Sequence, residues 1–266
     1  MENEEVKHKR RVRYSGTHPR RFEEKYKELN PEKYSRDIEH IISRGATPAG
    51  MHISIMVSEI LEFLDIKPGQ TEKHVAALLE YYMAEYGSDG KSFDTIAASG
   101  VNSASPHAVP TDKKLENGDF LTLDFGATYD GYHSDMTRTI AIGKVTDDMK
   151  KMYDAVLFAN LDAMKAIRAD ISGKVADSVA RSTLDAWGFG KYFGHGLGHG
   201  VGLEIHEAPS ASPSSQYTLK EGMILTVEPG AYISGKYGVR TEDMVVVTND
   251  GCRNLTNTTK DLIIID

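Results

Sequence analysis

The chain has 266 residues, 40% of them hydrophobic and 26% charged, which is enough to bury a sizeable core. No apolar run approaches the roughly 18 residues of a membrane span, and no apolar segment follows the amino-terminal charges as it would in a secretory signal. We therefore expect no membrane partner. The single cysteine, Cys252, excludes an intrachain disulfide and makes the cytoplasm the simplest setting.

The charge is unevenly distributed along the chain. The net charge is −8, but residues 1–27 hold nine Lys/Arg against five Glu, a net of +4 that leaves −12 for the remainder. A basic segment of this kind can contact RNA, although a solvated tail is the simpler interpretation because no aromatic platform accompanies it. The acidic body argues against nucleic acid as the main partner and suits a protein that gathers carboxylates around cations.

Hydrophobic patterning predicts helices and strands in mixed order. Helices are predicted around 22–29, at 53–64, and at 71–85, 147–169 and 173–187. Two strands around a turn at 129–131 are predicted within 120–143, and further strands at 223–228 and 238–248. This order lacks a strict strand–helix alternation and predicts an α+β fold rather than a doubly wound sheet.

Four carboxylates lie in apolar strand sequence, where a soluble chain rarely places them. Asp124 and Asp135 are nearly equidistant from the predicted turn, so we expect them opposite one another with ~5 Å between their Cβ atoms. Two like charges at that distance repel unless a cation lies between them. Together with Glu228 in "LTVEPG" and Glu242 in "VRTEDMVVV", they form a candidate cation site.

The stretch "FGHGLGHGVGLEIHEAP" at 193–209 supplies histidines. A phosphate-binding loop is a weak interpretation because the glycines do not lead from a strand into a helix with a "GK[ST]" sequence. A helical pair of His195 and His199 is also poor, since each glycine in that helix would cost ~1 kcal/mol relative to alanine. We expect a strand or an extended loop, in which His195 and His199 share one face and His206 points the other way.

The four carboxylates and the imidazole of His199 could hold two divalent ions with shared oxygen ligands. Mn²⁺, Fe²⁺ and Co²⁺ suit such oxygen-rich ligation better than a thiolate-type zinc site does, with Zn²⁺ as an alternative. Two ions ~3.5–4 Å apart lower the pKa of a shared water and polarise a carbonyl, which is hydrolytic chemistry. His107 and His206 would then donate hydrogen bonds to the leaving amine and the developing oxyanion.

The motifs that carry these residues resemble one family. "SPHAVPTD", "LDFGATYDGYHSDMTRT", "HGLGHGVGLEIHEAP", "LTVEPGAY" and "GVRTEDMVVVT" stand in the order found in the pita-bread metallopeptidases, which include methionine aminopeptidase, aminopeptidase P and prolidase. The likeness runs from about residue 66 to residue 266. It implies the α+β pita-bread fold and a metallo-exopeptidase with two divalent ions, Mn²⁺ first among them.

The resemblance implies a role for each candidate residue. Five residues would be metal ligands: Asp124, Asp135, His199, Glu228 and Glu242. Asp135 and Glu242 would bridge the two ions, and Glu228 would also act as base toward the attacking water. On the substrate side, His107 would approach the scissile nitrogen and His206 the carbonyl oxygen.

Two further residues occur at positions that resemble those of the Xaa-Pro branch of the family. Methionine aminopeptidases usually lack both. His195 would line the substrate side, and Arg240 would steady a bridging carboxylate, as its position two residues before Glu242 allows. We therefore expect an Xaa-Pro aminopeptidase or dipeptidase that acts on peptides with proline at the second position. Methionine aminopeptidase activity is one alternative. A catalytically inert peptide- or RNA-binding module is the alternative from another class, although no ligand of the family is missing.

The amino-terminal part departs from this pattern. "RVRYSGTHPRRFEEKYKELNPEKY" and "TPAGMHISIMVSEILEFLDIKPGQ" are similar to the start of bacterial 16S rRNA cytosine-N4 methyltransferases of the MraW type, but the glycine-rich cofactor loop that should follow is missing. We predict a fused segment at 1–66 without methyltransferase activity and a peptidase domain at 67–266. Larger Xaa-Pro relatives build their oligomer with an amino-terminal domain that this pattern does not include. The resemblance therefore leaves the oligomeric state open, with a homodimer as one possibility.

Overall fold

A computed structural model describes residues 64–266. The helix predicted around 22–29 lies outside this range, as do nearly all of the predicted helix at 53–64 and of the methyltransferase-like segment. Within the described range, helices and strands follow one another in mixed order, as the α+β prediction requires. None of the helices in this range combines the length and apolarity that crossing a bilayer requires.

Three α-helices lie in the described part of the chain. They are α1 (Glu72–Glu85), α2 (Asp147–Ala166) and α3 (Gly173–Ala186). Each begins after a hydroxyl residue whose side chain accepts a hydrogen bond from the backbone N–H three residues on; these caps are Thr71, Thr146 and Ser172. Such a cap satisfies one of the free N–H groups of the first turn. The three helices predicted in this range are therefore confirmed.

The strands of residues 64–266 are short. They are β1 (Gly90–Lys91), β2 (Ile96–Ser99), β3 (Phe120–Phe125), β4 (Ala127–Tyr129), β5 (Tyr132–His133), β6 (Met136–Ile142), β7 (Gly198–Gly200), β8 (Glu207–Ala211), β9 (Ile224–Val227), β10 (Gly230–Ile233), β11 (Tyr237–Arg240), β12 (Asp243–Val247), β13 (Cys252–Asn254) and β14 (Ile264–Ile265). They form sheets in the orders β14-β6-β3-β2, β13-β12-β9 and β1-β4-β5, and the pairs β10-β11 and β7-β8.

The hairpin of the two aspartates has a register that differs from the expected one. Its tight turn is Asp130–Gly131, where both residues have positive φ, 49° and 81°. An Asp-Gly pair favours such a two-residue turn. Asp124 is consequently paired with Thr137, and Asp135 precedes β6. The expectation of direct opposition was wrong: Asp135 is a diagonal neighbour of Asp124 on the same face, because residues two apart in a strand share a face.

The two predicted strands that carry glutamates end or break at those residues. β9 stops before Glu228, and the strand predicted at 238–248 is divided into β11 and β12 on either side of Thr241 and Glu242. The backbone N–H of Glu242 donates to the carbonyl oxygen of Thr137 at 3.1 Å, which joins this break to β6. Both glutamates are thus free of ladder positions and can turn toward a common point.

Two large hydrophobic cores and a small third cluster of Val201, Met244 and Leu255 hold this framework. In the first, α2 packs on α3 and against β9, β10 and β11. In the second, α1 packs against β2 and the sheet behind it through Val75 and Leu79. Strand β3 contributes to both cores, with Phe120 in the first and Leu121 and Leu123 in the second. Asp124 therefore extends from a strand that is packed on both of its faces.

Candidate metal centre

Side chains from two strands and from three strand ends meet at one cavity. Ligand atoms of Asp135, His199 and Glu242 all lie within 4.8 Å of one another, a spacing that suits a shared divalent ion. His199 Nε2 also lies 3.3 Å from Glu228 Oε1 and 3.6 Å from Asp135 Oδ2. These four residues and Asp124 all line a cavity of about 460 Å³. The structure thus brings together all five residues that the sequence singles out as ligands.

The imidazole of His199 is set up as an electron-pair donor. Its Nδ1 lies 3.0 Å from the carbonyl oxygen of Gly200, which assigns the proton to Nδ1 and leaves a lone pair on Nε2. Burial lowers the pKa of His199 to about 4, so the ring is neutral at physiological pH. The unprotonated Nε2 faces the carboxyl groups of Asp135 and Glu228. This is the arrangement of a metal ligand, in which a backbone carbonyl fixes the tautomer.

Two buried carboxylate oxygens have no hydrogen-bond partner within residues 64–266: Asp124 Oδ1 and Glu242 Oε1. Buried polar atoms normally find a partner. Burial, followed by the charge of Asp124, raises the pKa of Asp135 well above its ordinary range. Burial and the charge of Asp135 do the same to the pKa of Glu242. This donor set, with uncompensated charge and free oxygen atoms, fits divalent cations.

Arg240 contacts the second oxygen atom of Asp124. It forms an ion pair with Asp124 Oδ2 at 2.5 Å and donates to Thr137 Oγ1 at 3.0 Å. Thr137 in turn donates to Glu242 Oε2 at 2.7 Å. Arg240 therefore holds Asp124 directly and reaches Glu242 through one hydroxyl group, whereas the sequence suggested that it acts on a bridging carboxylate.

Tyr232 belongs to the same network, and the sequence analysis missed it. Its hydroxyl group accepts a hydrogen bond from Arg240 at 2.9 Å and lies 2.9 Å from His195 Nε2. Tyr232 stands in "EPGAY", a motif considered only for Glu228. The hydroxyl group of a tyrosine within a strand could have indicated a polar partner. The contact with Arg240, however, depends on the pairing of β10 with β11, which the periodicity of the sequence does not reveal.

Three histidines line the same cavity as the acids: His107, His195 and His206. His195 is held by Tyr232 and by a contact of 2.8 Å between Nδ1 and the carbonyl oxygen of Gly196, and burial lowers its pKa to about 4. His107 and His206 are exposed to solvent at the cavity, where a substrate could reach them.

The expected direction of His206 was wrong. Strand β7 ends at Gly200, the β-ladder shifts register between His199 and Gly200, and the following residues bend instead of continuing extended. This bend turns His206 back toward the cavity, so that its ring centroid lies 4.3 Å from that of His199. Strand alternation applies only to a regular strand, and here the strand covers three residues.

Known proteins are similar to this chain in sequence and fold. The model of metallopeptidase family M24 matches residues 49–249. The uncharacterized peptidase YqhT of Bacillus subtilis (strain 168) is 48% identical over 206 residues, which are 77% of this chain and 58% of that protein. The solved structure of Xaa-Pro dipeptidase from Bacillus anthracis is 48% identical, with a TM-score of 0.76, over 79% of this chain and 58% of its own. That of X-Pro aminopeptidase from Thermotoga maritima MSB8 is 44% identical, with a TM-score of 0.77, over 81% and 62%.

The chain spans about three fifths of the length of these proteins, 58% in two cases and 62% in the third. The family match begins upstream of the boundary predicted after residue 66, and that boundary stays a prediction.

Proposed function

This chain belongs to metallopeptidase family M24 and has the α+β pita-bread fold, and from that premise we propose that it is a metallo-exopeptidase that hydrolyses the amino-terminal peptide bond of Xaa-Pro substrates. The observation that carries the proposal is the position of His199 Nε2, neutral and unprotonated, among the buried carboxyl groups of Asp135 and Glu242 and the half-buried one of Glu228. The two similar structures are named a dipeptidase and an aminopeptidase, so the proposal includes both ways of cutting.

We propose that the centre holds two divalent ions, Mn²⁺ in first place, with Co²⁺, Fe²⁺ and Zn²⁺ as alternatives. The donors are one imidazole and four carboxylates: His199, Asp124, Asp135, Glu228 and Glu242. Five donors with free buried oxygen atoms on Asp124 and Glu242 are more than one tetrahedral site needs, which supports two ions with Asp135 and Glu242 between them. When bound, such ions supply a water of lowered pKa and polarise the scissile carbonyl.

Glu228 is the group to which we assign the proton of the attacking water. In the metal-free protein, burial raises the pKa of its carboxyl group to about 7, against the opposing effect of Arg240. The support for this role is the position of Glu228 in the cavity, with Oε1 at 3.3 Å from His199 Nε2. Thr226 Oγ1 donates to Glu228 Oε1 at 3.2 Å, which leaves the second oxygen of the carboxylate to face the cavity.

The substrate side of the cavity offers two exposed histidines and an apolar wall. We assign His107 to the scissile nitrogen and His206 to the carbonyl oxygen, where each can donate a hydrogen bond. His195 is fixed by Tyr232 and lines the substrate pocket. The adjacent lining includes Phe93, Val109 and Ile205, apolar side chains of a kind that can pack against a proline ring.

The proposal extends to the domains, the setting and the partners of the protein. Residues 67–266 form the peptidase domain, and 1–66 are a separate amino-terminal segment. The protein acts in the cytoplasm on peptides, with neither nucleic acid nor membrane as a partner, and a homodimer is one assembly that the resemblance leaves open. The single cysteine and the acidic body are the observations that favour this setting.

The test is hydrolysis of a Xaa-Pro dipeptide, a Xaa-Pro-Xaa tripeptide and a Met-Ala-Xaa tripeptide. Each is offered to chelated protein and to protein reloaded with Mn²⁺, Co²⁺ or Zn²⁺. We expect metal-dependent cleavage of the proline substrates, with the dipeptide-to-tripeptide ratio giving the subclass. His199→Ala should reduce kcat by at least about 10³-fold, whereas His74→Ala, a change of an exposed histidine on α1, should leave it unchanged.

Other outcomes would redirect the proposal. Cleavage of the methionine peptide alone would keep the centre and assign methionine aminopeptidase activity. Binding of metal without cleavage of any peptide would favour an inert peptide-binding module. Wild-type turnover by the His199→Ala variant would remove His199 from the centre.

A further inference from the structure

Glu72 is a buried carboxylate outside the metal centre. It is the first residue of α1 and has no exposed surface. Its Oε1 accepts hydrogen bonds from the backbone N–H of Ser99 at 2.6 Å, from Ser99 Oγ at 2.9 Å and from Asn102 Nδ2 at 3.1 Å. Its Oε2 accepts from the backbone N–H of Thr111 at 3.0 Å, from Thr111 Oγ1 at 2.6 Å and from Asn102 Nδ2 at 3.1 Å. Both oxygen atoms are therefore fully used.

These donors come from the two ends of one loop. We call the segment from Ser99 to Thr111 the 99–111 loop; it begins at the end of β2 and contains the 3-10 helix Gly100–Ala104. Its second half, 106–109, lines the metal-centre cavity and includes His107. One carboxyl group thus joins residues on either side of the segment that forms this wall.

Helix capping does not explain Glu72. The side chain of Thr71 already accepts from the backbone N–H of His74 and so caps α1. The carboxyl group of Glu72 points away from the helix instead, toward the 99–111 loop. Burial by itself would raise the pKa of Glu72, but the hydrogen bonds from Thr111 and Ser99 outweigh it and lower the pKa. The loop therefore holds an ionised carboxylate that is compensated by donors at its two ends and by Asn102.

The part of the loop that faces the cavity has fewer attachments of its own. The carbonyl oxygen of Pro106 accepts from Arg240 at 3.1 Å, and the hydroxyl of Ser103 accepts from the backbone N–H of Gly238 at 2.9 Å. His107 and Val109 are exposed. The position of His107 over the cavity therefore depends on where the ends of the loop are held.

We propose that Glu72 is a positioning residue for the peptidase reaction, which it serves by fixing both ends of the 99–111 loop so that His107 faces the substrate. This inference rests on the proposed function through the role of His107. Glu72 itself contacts neither the substrate nor the metal ligands. Replacing Glu72 by a side chain of the same shape with fewer acceptor sites should leave the metal centre intact. It should displace residues 106–109, which form one wall of the cavity.

Glu72→Gln is the primary test. The glutamine has the same shape, but its NH₂ group cannot accept from the backbone N–H of Ser99 or of Thr111, so the side-chain contact with one end of the loop is lost. The pairing of Ser99 with Leu121 and the hydrogen bond from the Lys73 N–H to the Thr111 carbonyl oxygen remain, so the loop should loosen without detaching. We expect kcat/KM to fall roughly 10- to 100-fold with unchanged metal content, since positioning errors at a reacting group have effects of this order. Glu85→Gln, the same change at an exposed position of α1, should behave as wild type.

A double-mutant cycle separates positioning from a general loss of structure. In a His107→Ala background, Glu72→Gln should reduce kcat/KM by less than about threefold, because the group that it positions is gone. A structural defect would reduce activity by the same factor in both backgrounds. If the two reductions multiply, the positioning role is refuted.

Hydrogen exchange tests the loop contacts without using activity. Backbone amides of the 99–111 loop should exchange at least about tenfold faster in Glu72→Gln than in wild type, while those of β3 and β6 should not change. Unchanged exchange in the loop would refute the inference. If the wild type cleaves none of the peptides, the proposed function fails, and this measurement still decides whether Glu72 holds the loop.

Thr111→Val is a second variant for the case in which Glu72→Gln does not fold. Thr111 is exposed, so its replacement should be tolerated. The change removes the hydroxyl group that donates to Glu72 Oε2 and that also accepts from the backbone N–H of Lys113 and from Asn102 Nδ2. We expect a loss of kcat/KM of a few fold, absent in the His107→Ala background, and faster exchange of amides near residue 111. Wild-type kinetics together with wild-type exchange would overturn the proposal.

Discussion

Glu228 lies just beyond the end of β9, with its carboxyl group 3.3 Å from His199 Nε2. Burial, reinforced by the charge of Asp124 and opposed by Arg240, raises the pKa of Glu228 from 4.5 to about 7 in the metal-free protein. The folded protein then keeps a proton that the unfolded chain releases between these two values. Since the folded state binds more protons in this window, the contribution of Glu228 to stability falls as the pH rises from about 4.5 to about 7.

Glu228→Gln should remove this pH dependence. In chelated protein, the free energy of unfolding of the wild type relative to the variant should decline by roughly 1–3 kcal/mol between pH 4.5 and pH 7, as a shift of this size predicts. Urea unfolding at several pH values measures the difference. Glu221→Gln, at an exposed position, is the control and should follow the wild type at every pH. A difference between wild type and Glu228→Gln that is constant with pH would contradict the assigned cause.

For single residues, the sequence identifies an ionisable side chain in apolar surroundings better than it identifies the hydrogen-bond partners of that side chain. Asp124, Glu228 and Glu242 were recognised because acids seldom lie in apolar strand sequence. The roles of Thr137 and Tyr232 were missed, because they arise from contacts with Glu242, Arg240 and His195 that bring distant strands together. Spacing within one segment carries no information about such contacts.

Strand β7 approaches β9 closely because Gly198 has no side chain. A Cβ atom at Gly198 would lie 1.9 Å from the carbonyl oxygen of Thr226, a backbone atom that cannot move aside alone. Gly194, four residues earlier in the same motif, has open space, with nothing within 4 Å of the position of a Cβ. The two glycines look equivalent in the sequence but differ in what surrounds them.

Gly198→Ala should therefore destabilise the protein by about 1–3 kcal/mol, the usual cost of overpacking, and move His199 away from the carboxylates. Urea unfolding measures the first effect and titration with Mn²⁺ the second. Gly194→Ala is the matched control, and we expect a change in the free energy of unfolding within about 0.5 kcal/mol. Equal stability of the two variants would show that the close approach of β7 and β9 does not depend on Gly198.

The helices were predicted well because a single amphipathic pattern dominates each of them. The strand register was predicted poorly where the position of a turn determines which residues pair. The predictions of α1, α2 and α3 agree with the structure because amphipathic spacing and a hydroxyl cap mark each helix. The register of the β3–β6 hairpin was wrong by a small shift of the turn to Asp130–Gly131. That shift changes the partner of Asp124, although it leaves both aspartates on one face.

The centre connects parts of the chain that are far apart in sequence. Asp135 lies before β6, Glu242 between β11 and β12, and His199 in β7, and their ligand atoms come within 4.8 Å of one another. The hydrophobic cores bring these elements together, while the like charges of the acids oppose it. A bound cation reverses the sign of that electrostatic contribution, and so metal binding and global stability are linked.

Asp135→Asn tests this linkage on the whole molecule. In chelated protein the variant should unfold at a temperature about 2–4 °C higher than the wild type, because a carboxyl group that burial and the charge of Asp124 both disfavour as an anion is gone. With Mn²⁺ at 100 times its dissociation constant, the wild type should gain about 2.7 kcal/mol and the variant much less, so that the order of the two proteins reverses. Calorimetry with and without Mn²⁺ measures both effects, and Asp170→Asn, which removes an exposed carboxylate, should show neither. If Asp135→Asn gained as much from Mn²⁺ as the wild type does, Asp135 would not be a ligand, and the repulsion of the acids would have to be relieved by protons alone.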